Sequence, residues 1–186
     1  HDGLRLAVID PLTGLYNRRY AHPRMSAIAE RAAAVGSSFA VMVIDLDRFK
    51  SVNDRWGHAA GDSVLVEVAH RLTDHLRASD LVARIGGEEF LVVLPDASLN
   101  AARNTAERLC RAVQERPVVL NDGVMLSVTV TLTLSALHCL IASLLVTLRH
   151  LLAWAPRLIP IGTGLVSWKL SWLRRRCLMP TKLLLR

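Results

Sequence analysis

Short apolar runs alternate along the chain with longer stretches in which apolar residues recur every three or four positions, the pattern of strands layered with helices. Asp10-Pro11-Leu12-Thr13-Gly14-Leu15 is turn-rich, and Asn17 is placed to cap a helix that runs through Ala-rich sequence to about Ala34. Gly36-Ser37-Ser38 ends that helix. Phe39 to Ile44 is short, apolar and partly β-branched, the mark of a strand buried on both faces, and it terminates in Asp45-Leu46-Asp47. Gly61-Asp62 predicts the start of a second helix with Asp62 as its N-cap, and Val64, Leu65, Val68, Ala69, Leu72 and Leu76 form its core-facing stripe. Leu81 to Ile85 and Phe90 to Leu94 are apolar strands joined by Gly86-Gly87-Glu88-Glu89, which reads as a hairpin with a glycine turn. Ser98 caps a third helix to about Glu115; Val118 to Leu120, the turn Asn121-Asp122-Gly123 and Met125 to Leu134 predict a last hairpin. The order α-β-α-β-β-α-β-β, without internal repeats, predicts an α/β (α+β) domain.

Composition changes this picture mainly at the C-terminal end. The 186 residues suffice for one domain with a real core plus an extension. The net charge of +7 suggests nucleic acid until the charges are located. Residues 1–123 hold all 16 acidic and 15 of the 23 basic residues, so that part is close to neutral and a DNA-binding surface is disfavoured. The excess sits in residues 124–186, which have no Asp or Glu. Cys110, Cys139 and Cys177 are far apart and odd in number, so neither a disulfide framework nor a metal spacing is expected, and a reducing cytoplasmic setting is. His1 in place of a starting Met, with no signal-peptide pattern after it, reads as a start inside a longer chain or one left by processing.

The carboxylates carry the candidate chemistry. Asp45 ends a central strand and Glu88 tips a hairpin, so the two meet if their strands are sheet neighbours. Clustered carboxylates repel, and they persist where a cation neutralises them; hard oxygen ligands of this type suit Mg²⁺ held jointly with substrate phosphates. Paired divalent ions bring hydroxyl nucleophiles against phosphates. A lone strand-end Asp is ordinarily solvated or caps a turn, and it is the coincidence of several such features that favours chemistry.

Four segments occur in a family order. Asp10 to Arg19 resembles the opening of GGDEF-type diguanylate cyclase domains. Asp45-Leu46-Asp47-Arg48-Phe49-Lys50, Asn53-Asp54, Gly57-His58 and Gly61-Asp62 resemble their nucleotide-binding segment, and Gly86-Gly87-Glu88-Glu89-Phe90 resembles their signature. The resemblance implies a palm-like, mostly antiparallel central sheet flanked by helices, of nucleotidyl-cyclase type, over residues 1–138. It implies condensation of two GTP into cyclic di-GMP and two pyrophosphates across a homodimer, with Mg²⁺ or Mn²⁺. In those terms Asp45 and Glu88 ligate metal with the Leu46 carbonyl, and Glu89 acts at the reacting end. Asn53 and Asp62 read guanine, His58 lies near the nucleotide, and the backbone around Arg48 to Lys50, with Phe49 between them, cradles phosphate. Gly86 and Gly87 leave room for a phosphate chain. Asp47 reads as a fold-stabilising carboxylate instead. For His58 a backbone-bonded turn role weighs equally, and for Asn53 and Asp62 turn and capping roles are compatible with guanine contact.

Arg77 and Asp80 lie at the family's spacing before the signature for an inhibitory site that binds the product. An Arg gripping phosphate or stacking on guanine, with an Asp accepting guanine N–H groups, makes chemical sense; the alternative is a surface ion pair. The alternative function is a catalytically impaired domain that serves as a cyclic di-GMP receptor. Either version implies an upstream sensor outside this chain.

Thr131 and Thr133 replace the family's small Ser and Gly, and after about His138 the resemblance ends. Residues 139–186 replace the family's last helix and strand, including the Lys and Arg that would hold GTP phosphates. Sudden loss of acidic residues together with the family pattern is what an altered reading frame produces. A substitute that packs on the core is the second reading. Membrane contact through Trp168, Trp172 and Arg174 to Arg176 is the least favoured.

Overall fold

The structure is a computed structural model that describes residues 8–137; the expectations for residues 139–186 lie outside the described residues. Its first strand, β1 (Tyr16–Asn17), leads directly into helix α1 (Arg18–Val35), whose start is capped by the Asn17 side chain accepting from the Tyr20 N–H. Strand β2 (Phe39–Leu46) follows, then two consecutive helices, α2 (Phe49–Trp56) and α3 (His58–Asp74). Strands β3 (Leu81–Arg84) and β4 (Glu89–Leu94) form the signature hairpin. Helix α4 (Leu99–Gln114) starts at the expected cap, Ser98 accepting from Ala101 N–H. Strands β5 (Val118–Val119), β6 (Met125–Leu126) and β7 (Val130–Leu137) complete the described chain.

Five strands make one sheet in the order β1-β3-β4-β2-β7, antiparallel throughout except for the β1–β3 pair. This is the mostly antiparallel, helix-flanked sheet that was expected. Alternation along the strands sends residues to opposite faces. Even-numbered positions of β2, β4 and β7, such as Met42, Ile44, Phe90, Val92 and Leu132, pack with Val64, Leu65, Val68 and Leu72 of α3 and with Ala106, Leu109 and Val113 of α4. Odd-numbered positions, Phe39, Leu91 and Val93 among them, pack with Ala21, Ile28 and Ala32 of α1. Helices therefore cover both faces.

Three expectations need correction. Asp62 is not an N-cap: α3 begins at His58 with Gly57 at its cap, and Asp62 lies inside the helix. Residues 49–56, to which no element was assigned, form α2, an element too short for periodicity to announce it. Met125 to Leu134 is not one strand: β6 pairs only with β5 in a two-stranded ribbon, the chain leaves the ladder at residues 127–129, and β7 joins the main sheet beside β2. Among the described residues no helix is long and apolar enough to cross a membrane.

Candidate functional site

The candidate site is built where the α1-side face of the sheet runs out of apolar residues. On that face Val43 stands opposite Leu91; the next row places Asp45 opposite Glu89 on β4 and Thr131 on β7. Glu88 joins them through its main chain, because the Leu46 N–H donates to the Glu88 carbonyl at 3.2 Å. β2 and β4 are neighbours, as the expected meeting of Asp45 with Glu88 required, but the residue the register sets opposite Asp45 is Glu89, and Glu88 reaches β2 only through its carbonyl.

The electrostatics of this row follow from its crowding. Burial first, then the Glu89 and Asp47 carboxylates, push the Asp45 carboxyl above the ordinary aspartate value. Asp47 is engaged elsewhere: Thr129 Oγ1 donates to its Oδ2 at 2.7 Å, Thr131 Oγ1 to its Oδ1 at 2.6 Å, and its own N–H donates to the Thr129 carbonyl at 2.9 Å. Both oxygens of Asp47 are occupied by hydroxyls, which agrees with its structural reading and leaves Asp45, Glu88 and Glu89 as the available acids. Among the described residues no group of three or more His, Cys, Asp or Glu is arranged to hold an ion unaided. A carboxylate disfavoured as a charge and short of further protein ligands fits a hard cation that brings ligands of its own, as Mg²⁺ does with water and phosphate.

The glycines of the turn act through space, not conformation. Neither Gly86 nor Gly87 has positive φ. A Cβ on Gly86 would meet the Glu89 carboxylate, and one on Gly87 would meet nothing within 4 Å. The backbone at Gly87 is therefore open to an approaching group.

Beside the acids, Arg48 adopts the left-handed conformation (φ 57°) and starts α2 without a side-chain cap, so the first N–H groups of that helix have no carbonyl behind them. Phe49 is buried and can offer a ligand only its main chain, whereas Lys50 is exposed. Further along α2, Asn53 Oδ1 is buried with no hydrogen-bond donor, and Gly61 of α3 packs so closely that a Cβ there would collide with it. His58 is exposed at the start of α3. Asp62 is also exposed and, with Leu12, Ser63, Val66 and Val118, lines an open groove of about 350 Å³.

The family model for the diguanylate cyclase GGDEF domain matches residues 7–139, and all the groups just described fall inside that match. The chain belongs to the GGDEF family. The response regulator PleD of Caulobacter vibrioides is 45% identical over 134 residues, covering 72% of this chain and 30% of PleD. The diguanylate cyclase TpbB of Pseudomonas aeruginosa is 46% identical over 124 residues, 66% of this chain and 28% of TpbB. The chain thus spans less than a third of the length of these two relatives. Among solved structures, diguanylate cyclase SiaD of Pseudomonas aeruginosa, in complex with its activator SiaC, superposes with a TM-score of 0.67 at 40% identity, covering 74% of this chain and 54% of that one. The coiled coil and GGDEF domain of DgcB from Caulobacter crescentus, in complex with c-di-GMP, gives 0.70 at 26% identity, covering 74% and 73%.

In this GGDEF domain Arg77 and Asp80 stand apart from the acids, at the far end of β3, on the turn that follows α3. Asp80 Oδ2 accepts the Arg77 N–H at 2.8 Å and the Asp80 N–H returns to the Arg77 carbonyl at 3.0 Å, so the carboxylate closes its own turn. The Arg77 side chain is exposed and has no partner among the described residues. The surface ion pair, the alternative reading of the two, is therefore not made.

Sequence reasoning passed over Arg84. Its Nη2 and Nε donate to the Gly87 carbonyl at 2.7 and 3.2 Å, and its Nη1 reaches the Asp10 carboxylate at 3.3 Å. Only its place two residues before the glycines hinted at this. Asp10 is pinned in turn by the N–H and Oγ1 of Thr13, at 2.9 and 2.7 Å. Burial alone would raise the Asp10 pKa; the Thr13 hydrogen bonds and the Arg84 charge outweigh it and lower the value.

Proposed function

We propose that this domain condenses two GTP molecules into cyclic di-GMP, releasing two pyrophosphates. The observation that carries the reading is the row in which Asp45, already disfavoured as an anion, faces Glu89 beside the open glycine turn. Asp45, Glu88 and the Leu46 carbonyl would hold Mg²⁺, or Mn²⁺ in its place. When bound, the ion lowers the cost of ionising a ribose 3′-hydroxyl and offsets charge on the α-phosphate. Glu89 stands at the reacting end of the row. The open backbone at Gly87, beside Gly86 where a side chain would meet the Glu89 carboxylate, and the uncapped start of α2 at Phe49 and Lys50 would receive the phosphates. Asn53 and Asp62 would read guanine, with His58 nearby. The orphaned Asn53 Oδ1 supports this, because a buried acceptor without a donor costs about 1–3 kcal/mol and a guanine N–H would satisfy it.

Each domain offers one such site and the product joins two nucleotides, so the reaction requires two copies face to face. GTP supply puts it in the cytoplasm. We set the domain boundary near residue 138. An upstream sensor would set the dimer equilibrium.

The test is incubation of the purified chain at high concentration with GTP and Mg²⁺, followed by chromatography of the products. Cyclic di-GMP and pyrophosphate are expected. No product alongside tight binding of added cyclic di-GMP would replace the cyclase reading with that of a receptor. Two further results are expected. Gly61→Ala drives a methyl group into Asn53 Oδ1 and should raise the KM for GTP about tenfold with little change in kcat, the loss of roughly one hydrogen bond to the base. Arg77→Ala removes an exposed, unpartnered guanidinium and should relieve inhibition by added cyclic di-GMP while the initial rate is kept. An unchanged inhibition curve would remove Arg77 from the product site.

A further inference from the structure

We infer that Arg84, held by Asp10, is a positioning residue that fixes the direction in which Glu88 presents its carboxylate. The inference rests on the metal-binding role proposed for Glu88. A side chain leaves its Cα in a direction set by the two peptide planes on either side, and at Glu88 both planes are anchored from outside the turn. The plane before it ends in the Gly87 carbonyl, which accepts both Nη2 and Nε of Arg84; the plane after it ends in the Glu88 carbonyl, which accepts the Leu46 N–H at 3.2 Å. The turn's own closure lies outside this pair, in the Ile85 and Gly86 N–H groups donating to the Glu89 carbonyl at 2.9 and 3.4 Å. Gly87 has no side chain with which to hold itself, and its surroundings are open. Without Arg84 the peptide before Glu88 is free to rotate.

The guanidinium suits this task. It offers donors in a rigid fork, two for one carbonyl and a third for Asp10, which a lysine ammonium does not reproduce. The Arg84 and Asp10 side chains are only 16% and 18% exposed, so their attraction is less screened than that of a surface pair. Asp10 belongs to the same opening turn as Leu12, which lines the groove beside Asp62. One short segment therefore touches both the groove proposed for the base and, through Arg84, the turn proposed for the metal.

The experiment measures Mn²⁺ binding to the full chain by electron paramagnetic resonance in the presence of a non-hydrolysable GTP analogue, beside turnover with GTP. Arg84→Ala should weaken Mn²⁺ binding about 10- to 100-fold, as loss of groups that orient metal ligands commonly does. The effect should appear in kcat and in the metal requirement, with KM for GTP nearly unchanged. Arg84→Lys should recover little of the loss, and Asp10→Asn should reproduce part of it, which keeps the test open if the alanine variant fails to fold. Wild-type Mn²⁺ affinity in folded Arg84→Ala, or in Asp10→Asn with Arg84→Lys, would overturn the positioning role. A wild-type chain that binds no Mn²⁺ with the nucleotide would overturn the metal reading itself, and the inference with it.

Discussion

Glu88→Ala is expected to lower cyclic di-GMP formation by at least about a thousandfold, several kcal/mol of barrier, because the group removed is one of the two acids proposed to hold the divalent ion. The fold should survive the change. Glu88 is partly exposed on a turn, and its carbonyl rather than its carboxylate makes the contact to Leu46. Product chromatography against matched melting curves checks both halves, and activity within tenfold of wild type would refute the metal assignment. Asp45→Asn should remove activity as completely but shift stability the other way. The folded-state pKa of Asp45 is raised, so ionisation is disfavoured in the native chain. Stability is thus lost as pH rises from the ordinary aspartate value through the raised one, and the cost stays in full at neutral pH. Replacing the carboxylate by an amide lifts that cost. In metal-free buffer at neutral pH the variant should melt above wild type, whereas at a pH below both values the gain should vanish. A site that folds more easily without its acid is the expected signature of a group kept for chemistry.

Arg71→Ala is expected to have the largest effect on stability, about 3 kcal/mol, or roughly a 10 °C fall in melting temperature. Arg71 lies on α3 at 6% exposure, and its Nη1 donates to the Val113 and Arg116 carbonyls at 2.7 and 2.5 Å, its Nη2 to the Pro117 carbonyl at 3.2 Å. These carbonyls lie at the end of α4 and just beyond it, where no helix N–H remains to meet them. The arginine therefore closes one helix from the side of another, and truncation strands several acceptors at once. Its 2.8 Å ion pair with Glu67, 43% exposed, contributes far less. Thermal unfolding followed by circular dichroism tests this; a shift below about 2 °C would show that water replaces the clamp.

Much of the framework was legible because its signals are local. Asn17 and Ser98 announce their helices by side chains that reach N–H groups three residues away. The stripe of Val64, Leu65, Val68, Ala69 and Leu72 repeats over enough turns to identify a core-facing helix whatever its start. By contrast, α2 offers apolar residues only at Phe49, Val52 and Trp56, too few turns for a period to stand out. The apolar stretch after Met125 continues without a break in sequence, yet β6 and β7 belong to different sheets, because which strand a segment pairs with is settled by its distant partner.

The same division holds at the site. By itself the sequence determined which residues are available for chemistry: acids at the end of a strand and at the tip of a hairpin, in the order and spacing of the GGDEF family. Only the tertiary structure decided how they are arranged. The β2–β4 register puts Asp45 opposite Glu89, hydroxyls from β7 occupy Asp47, the packing of Gly61 against α2 isolates Asn53 Oδ1, and Arg84 ties Asp10 to Gly87 across more than 70 residues of chain. The physical reason is that spacing along a chain constrains neighbours within a turn or a strand, while charge repulsion, burial and hydrogen-bond satisfaction depend on groups that meet only when distant segments pack.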